Sequence, residues 1–352
     1  MNYLKQVEET TKKLMREGHA TLLAVESSCD ETAAAVVRDG RQVLSSVIFS
    51  QIPLHALYGG VVPEIASRSH VEKLDVVVDE ALQKAGMQLE QVDALAVTFG
   101  PGLVGALLTG VSHMKAMAYA CGKPLVPVNH IEGHVSANYV AHPDLEPPFV
   151  CLVASGGHSH IVRVRDYGEY ELLGQTTDDA AGEAFDKAAR VLGLPYPGGP
   201  LLDRLSAQGN PQALPLPHVQ TRGKYDYSFS GLKTALINAV HKLRQNGQEV
   251  PAADIAASFQ HAVVQQLSEK AVMAALETGA GTLAIAGGVA SNSGLRRELE
   301  RRCQEAGLKL RMPPPVLCTD NAAMIGSAAF YRLMRGETAG LDLNACPSLS
   351  LI

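Results

Sequence analysis

Apolar residues along the first half of the chain come in short runs broken by small polar turns, a pattern that predicts buried strands alternating with helices. The run at 21–25 reads as a strand. A second run at 33–37 follows the polar stretch 26–32 and stops at Asp39-Gly40, a hairpin signature, and a third strand fits 42–49. Pro63 suits the first turn of a helix with apolar Ile65, Leu74, Val78 and Leu82 that ends near Gly86. A strand at 94–98, a glycine-rich turn, a helix over 104–120, a strand at 125–128 and a helix over about 130–140 complete a β-β-β-α-β-α-β-α order. The acidic, proline-rich stretch 144–148 reads as a linker.

Beyond the linker the pattern starts again. Strands are predicted at 149–154, 160–165 and 170–173, helices over 181–192, 231–245 and 253–278, then a strand at 283–286, a helix over 293–306, a strand at 309–312 and a helix over 321–334. Two α/β lobes are therefore expected, 21–143 and 149–320, with the helix 321–334 packing back on the first and residues 1–20 standing outside both as an extension. Each sheet should be mostly parallel, covered on both faces and opened by antiparallel strands, with a cleft between the lobes and ligands at the carboxyl ends of the strands. In the extension, Leu4, Val7, Leu14 and Met15 fall near one helical face, so it reads as an amphipathic helix packed on the body or docking a partner.

The 352 residues carry 30 basic and 36 acidic side chains, a net charge of −6, which excludes a polybasic nucleic-acid or lipid binder and leaves only local patches for such work. Arg296, Arg297, Arg301, Arg302, Lys309 and Arg311 form one such patch, and Arg222, Lys224 and Lys233 another. With no Trp and 5% aromatics, base-stacking surfaces are scarce, so structured RNA would have to be gripped through its phosphates. The six Cys show no CxxC pair, which fits a reducing cytoplasm, and there is neither a signal-peptide core nor a run long enough to span a membrane.

Three turns are candidates for a nucleotide. The stretch from Glu26 to Thr32 (with Asp30 and Glu31) and the stretch Ser155-Gly156-Gly157-His158-Ser159 occupy equivalent hairpin positions in the two halves. Small residues let backbone N–H groups approach phosphate oxygens, and an Asp opposite can hold a bridging metal. The third, from Ala286 through Gly287 and Gly288 to Asn292, leaves a strand and enters a helix, where an anion or nucleoside can sit. Neither a GxGxxG nor a GxxxxGK[ST] motif occurs, which disfavours dinucleotide dehydrogenases and P-loop NTPases. The arrangement resembles the actin-like ATPase superfamily.

His130 and His134, at i and i+4, lie about 40° apart around a helix axis and can face one cation. A distant carboxylate is the expected third ligand, and Asp320 is the choice, although it could equally cap the last helix. Glu132 is two positions from His130, not adjacent as in HExxH, so a peptidase on that plan lacks its base. His158 and His160 share a strand face and are site-lining or structural. Asp178, Asp179 and Glu183 sit at a helix start, where the dipole alone could explain the first two, Asp186 lies deeper, and 196–203 reads as a rigid loop presenting Asp203.

The string from Lys123 to Val135 closely resembles the signature of the tRNA adenosine threonylcarbamoyltransferase family, once labelled glycoprotease. So do the Glu26-to-Thr32 turn, Gly100-Pro101-Gly102-Leu103, Ser155 to His158, Asp178 to Lys187, Tyr196 to Pro200, Ser228 to Lys233, Gly287 to Asn292 and Thr319-Asp320-Asn321, in order from about Leu22 to Leu333. The resemblance implies an actin-like fold that moves a threonylcarbamoyl group from threonylcarbamoyl-AMP to the N6 amine of the adenosine 3′ of the anticodon in ANN-decoding tRNAs. It further implies one divalent metal, Fe2+ or alternatively Zn2+, on His130, His134 and Asp320. The adenylate would be bound by Val153, Ala154, Ser155, Gly156 and Gly157 with Asp186, Gly199, Asp203 and Asn292, and Asp30 and Glu31 would lie near the reacting end. A degenerate paralogue and a small ATPase are the expected partners. A small-molecule kinase of the same fold is the competing function, but phosphoryl transfer has no use for the His pair.

Overall fold

The computed structural model describes residues 3–217 and 221–352; Met1 and Asn2, the start of the expected extension, lie outside the described residues. Contacts divide the chain into a first unit, 1–146 with 319–352, and a second, 147–318. These limits differ from the expected ones in two ways. The N-terminal segment is part of the first unit, and so is Asp320, the expected last residue of the second lobe.

In the first unit, strands β1 (Thr21–Glu26), β2 (Glu31–Arg38), β3 (Gln42–Ser50), β4 (Ala94–Gly100) and β5 (Leu125–Asn129) form a sheet in the order β3-β2-β1-β4-β5. The hairpin strands pair antiparallel, and β1-β4 and β4-β5 are parallel. All six residues of β1 are buried, as a central strand covered on both faces requires. Helices α1 (Tyr3–Glu17), α2 (Ile52–Ala56), α3 (Pro63–Ala85), α4 (Val104–Cys121) and α5 (His130–Ala141) follow the strands in chain order or precede them. One core joins Leu23, Val36, Leu74, Leu95, Val111 and Met114, and truncating one of its fully buried leucines to Ala costs about 2–5 kcal/mol. In α1 the buried face is Tyr3, Val7, Thr11 and Leu14, whereas Leu4 and Met15 are exposed; the Tyr3 hydroxyl donates to the Lys123 carbonyl, which docks this helix at the end of α4.

The second unit repeats the plan with β6 (Phe149–Ala154), β7 (Ser159–Asp166), β8 (Glu169–Gln175), β9 (Thr282–Ala286) and β10 (Lys309–Arg311) in the order β8-β7-β6-β9-β10. Its helices are α6 (Ala181–Val191), α7 (Gly198–Ser206), α8 (Ser230–Gln245), α9 (Ala252–Glu277), α10 (Ser293–Ala306) and the short α11 (Pro315–Cys318). Phe185, Tyr227, Phe229, Phe259, Leu283 and Leu295 centre its core. The expected loop at 196–203 is largely helix, because α7 starts at Gly198: Pro197 and Pro200 fall before or within the first turn, where a missing N–H costs nothing. The Gly287-Gly288 turn passes through one 3-10 turn, Gly288–Ser291, before α10 begins.

The chain then returns to the first unit as α12 (Ala322–Met334), which packs on α5 and on β1 and β2. Small residues allow the approach: a Cβ on Gly133 would meet Ile325 Cδ1 at 2.6 Å, and one on Gly326 would meet Val37 Cγ2 at 2.7 Å. The Ser327 hydroxyl bonds the carbonyls of Gly40 and Ser136, and Arg332 pairs with the buried Glu132 at 2.8 Å. Downstream of α12, Cys346 N donates to Phe99 O, and Ser350 O accepts from Asn129 Nδ2. No helix among the described residues is long and apolar enough to cross a membrane, and all six cysteines are free.

Candidate active site

The carboxyl ends of β1 and β5 and the start of α12 bring one cluster together. Asn129 caps α5, its Oδ1 accepting from Ile131 N at 2.8 Å, so the helix starts directly with His130. His130 and His134 then stack edge to face with ring centroids 4.6 Å apart, both buried. Asp320 does not cap α12; Asn321 does, accepting from Met324 N at 2.9 Å. Asp320 instead turns its Oδ1 to 3.5 Å from His130 Nε2 and 3.3 Å from His134 Nε2. Ligand atoms of the three residues all lie within 4.8 Å of one another.

Burial and charge oppose each other in this cluster. Burial works against a charged His130, yet the Asp320 and Glu26 carboxylates hold its imidazolium up to about 9. Burial pushes His134 below the ordinary histidine value in spite of Asp320. Both ring nitrogens of His134 are buried without a hydrogen bond, although Asp320 is close to Nε2. Two imidazoles and a carboxylate around such orphaned nitrogens fit a divalent cation of the zinc or iron type, which takes this donor set and keeps positions open for a reactant.

Sequence reasoning quoted Glu26 only as the edge of a turn. It is wholly buried, and its carboxylate lies 3.0 Å from His130 Nδ1. The signal was an acidic residue closing an otherwise apolar central strand. Glu31, at the start of β2, accepts from the Ser50 hydroxyl at 2.9 Å through Oε1, while Oε2 is buried with no hydrogen-bond partner. Burial, with Asp30 and Asp320 adding their charge, pushes its carboxyl up to about 7. Asp30 sits in the same turn, and its carbonyl accepts from Gln51 N. His70, buried on α3, steadies this turn by bonding Cys29 O and the Thr32 hydroxyl.

In the second unit the expected adenylate residues fall into two groups. Val153 and Ala154 end β6, and Ser155, Gly156 and Gly157 make the turn, closed by Ser155 N to His158 O at 2.8 Å. The first turn of α6 rests on it: Gly182 N and Glu183 N donate to the carbonyls of Ser155 and Gly156, and a Cβ on Gly182 would strike Ser155 O at 2.6 Å. Gly287, at φ +86°, approaches Ala154 so closely that a Cβ would lie 2.3 Å from its carbonyl oxygen. At Gly156, Gly157 and Gly288, by contrast, an added Cβ would meet nothing within 4 Å, so the backbone there faces open space.

Asp186, Asp203 and Asn292 form the second group, and they tie α6, α7, α9 and α10 together. Asp186 Oδ1 accepts from Gly198 N and Gly199 N at 2.9 and 3.0 Å, capping α7. Asp203 accepts from Gln260 Nε2 and from the Ser293 hydroxyl and N–H, all within 3.0 Å. Asn292 caps α10 and donates to Gln260 Oε1 at 2.8 Å. Gln260, unnoticed in the sequence, links all three of α7, α9 and α10. His158 and His160 lie side by side, centroids 5.5 Å apart. The basic patches are largely spent on neighbours: Arg301 on Glu298 and Glu305, Arg302 on Glu298, Lys224 on Glu277, Lys233 on Asp179, and Arg296 on the carbonyls of Ala290 and Pro313. Glu132 is engaged with Arg332, so it offers no peptidase base.

Among solved structures, HypF of T. kodakarensis superposes with a TM-score of 0.62 at 15% identity, covering 90% of this chain and 48% of its own. Component A of the Acidaminococcus fermentans (R)-2-hydroxyglutaryl-CoA dehydratase does so with a TM-score of 0.52 at 16% identity, covering 90% and 98%. These likenesses establish the fold, which is actin-like. A family model described as tRNA N6-adenosine threonylcarbamoyltransferase matches residues 42–327. Relatives bearing that name from Clostridium perfringens are 55% identical over 331 residues, 94% of this chain and 98% of theirs. One from Clostridium botulinum is 54% identical over 331 residues, 94% and 97%. With the family pattern spanning most of both units and such relatives matching nearly end to end, the chain belongs to the tRNA N6-adenosine threonylcarbamoyltransferase family.

Proposed function

We propose that this protein transfers the threonylcarbamoyl group of threonylcarbamoyl-AMP to N6 of the adenosine 3′ of the anticodon in ANN-decoding tRNAs. Its family membership supports the reaction class, and one structural observation carries the assignment to this chain: His130, His134 and Asp320 converge from residues far apart in sequence. They would hold the single divalent cation, Fe2+ or Zn2+. When bound there, such an ion acts as a Lewis acid toward a carbonyl oxygen.

The donor is a mixed carbamic–phosphoric anhydride and is already activated. The N6 nitrogen attacks the carbamoyl carbon, the C–O bond to phosphate breaks, AMP leaves and one amine proton must be removed. Glu31 is the base: its buried, unbonded Oε2 and raised pKa of about 7 make its carboxylate a competent acceptor at neutral pH. Asp30 supports it by adding charge beside it. The backbone at Gly156 and Gly157 and the open face at Gly288 would receive the adenylate, with Val153, Ala154, Ser155, Asp186, Gly199, Asp203 and Asn292 shaping that surface. A degenerate paralogue and a small ATPase would complete the assembly in the cytoplasm.

The test is nucleoside analysis of unmodified tRNA after incubation with the protein, threonylcarbamoyl-AMP and those partners, with and without a chelator. Threonylcarbamoyladenosine and stoichiometric AMP, both lost on chelation, are expected. Adenosine left unmodified in the complete mixture would overturn the assignment.

A further inference from the structure

Glu26 occupies an expensive position. It ends β1, whose six residues are all buried, and its own exposure is 0%. A carboxylate so placed must find donors or a cation. Its Oε1 accepts from Ser28 N–H; its Oε2 accepts from the Thr98 hydroxyl at 2.7 Å and lies 3.0 Å from His130 Nδ1. Among the described residues no Lys or Arg pairs with it, and His130 is its one ion-pair partner. The other nitrogen of that ring, Nε2, is the one that faces Asp320.

We propose that Glu26 is a positioning residue of the metal centre: it accepts the Nδ1–H of His130, fixing ring and tautomer so that the Nε2 lone pair is presented toward His134 and Asp320. This rests on the metal reading given above. An ionised carboxylate can only accept, so the proton on Nδ1 is dictated. The Ser28 hydroxyl, 3.2 Å from the same nitrogen, could serve either tautomer and so decides nothing. A carboxylate behind a ligating imidazole also raises its basicity. The two histidines are thereby unequal, because His134 Nδ1 has no hydrogen-bond partner, while its Nε2 faces the same Asp320.

Glu26→Gln separates charge and tautomer from shape. Ser28 N–H can only donate, so the amide oxygen must turn to it, and the amide NH2 then faces Thr98 and His130. A donor at Nδ1 moves the ring proton to Nε2, the wrong nitrogen for a ligand.

The full-length protein should be titrated with Co2+ alone, against a competing chelator, recording the visible d–d spectrum and the thermal unfolding midpoint. Wild type is expected to bind one equivalent, and Asp320→Asn to lose it. Glu26→Gln should weaken binding about 10- to 100-fold and alter the spectrum, while Glu26→Asp, whose carboxylate is drawn back from Nδ1, should fall between. If wild type binds and Glu26→Gln matches it in affinity and spectrum, the positioning role is wrong and the metal reading stands. If wild type and Asp320→Asn are alike, the metal reading fails and takes this role with it. Should Glu26→Gln not fold, Glu26→Asp decides alone, and wild-type affinity there overturns the proposal.

Discussion

The two units share one strand order, yet they have put opposite materials at the same places. Where β1 turns into β2, the first unit carries Asp30 and Glu31 above a buried Glu26; where β6 turns into β7, the second carries Ser155, Gly156 and Gly157. The same backbone frame thus supports titratable side chains in one half and small residues facing open space in the other. On the proposed reaction, chemistry in the first would depend on charge, and binding in the second on how close a ligand can come to the main chain.

Four experiments put that contrast to the test. Asp320→Asn should show the largest effect, a fall of about 10²–10³-fold in transfer with donor binding intact, the cost of removing one electrostatic stabiliser of a developing oxyanion; steady-state kinetics and metal content measure it. Glu31→Gln should slow single-turnover transfer about 10²-fold. In wild type the rate should climb as pH rises through about 7, where the carboxyl ionises, and the variant should lose that slope. A cation bound beside Asp320 would shift the midpoint downward. The sign for stability is the reverse: with its pKa raised, Glu31 favours the folded state at low pH and that contribution fades as pH rises through about 7, so Glu31→Gln should gain stability relative to wild type in alkaline buffer.

In the second unit the outcome should depend on which glycine is touched. Gly287→Ala, forced to place a Cβ 2.3 Å from Ala154 O at positive φ, should destabilise by at least about 1–3 kcal/mol in denaturant titration. Gly156→Ala, whose Cβ meets nothing within 4 Å, should leave stability within about 0.5 kcal/mol and raise the KM for the adenylate. Equal behaviour of the two would dissolve the distinction between scaffold and contact glycines. Smallest of all, Arg301→Ala, which loses an exposed pair with Glu305 and a pair with the half-buried Glu298 that Arg302 still holds, should change tRNA affinity and stability little, by about 1 kcal/mol or less, in filter binding and melting.

Periodicity reveals an element when one face is wet or when a short run is uniformly dry. The strands and α3, with Pro63 at its start and a left-handed Gly86 at its end, were legible for that reason. Helix α7 was not, since Pro197, Gly198, Gly199 and Pro200 look like breakers until Asp186 is seen to bond the N–H groups of both glycines. The i,i+4 histidines announced themselves by spacing. Glu26 did not, because nothing in a linear sequence says that a strand's last residue is fully buried against a ring 104 positions on. The residues expected to bind the adenylate could be placed on turns, but only the folded structure separates the open Gly156, Gly157 and Gly288 from Asp186 and Asp203, whose oxygens are engaged by neighbouring N–H and hydroxyl groups.

The order in which Asp320 arrives has a consequence for biosynthesis. The polypeptide leaves the first unit after Glu146 and re-enters it at Thr319, so both imidazoles are made long before the carboxylate that faces them. A ribosome must complete the whole intervening body before the triad can close. Partial chains released earlier would carry the histidines without their counterpart, so the proposed three-ligand site would form only after translation has passed through the whole second unit.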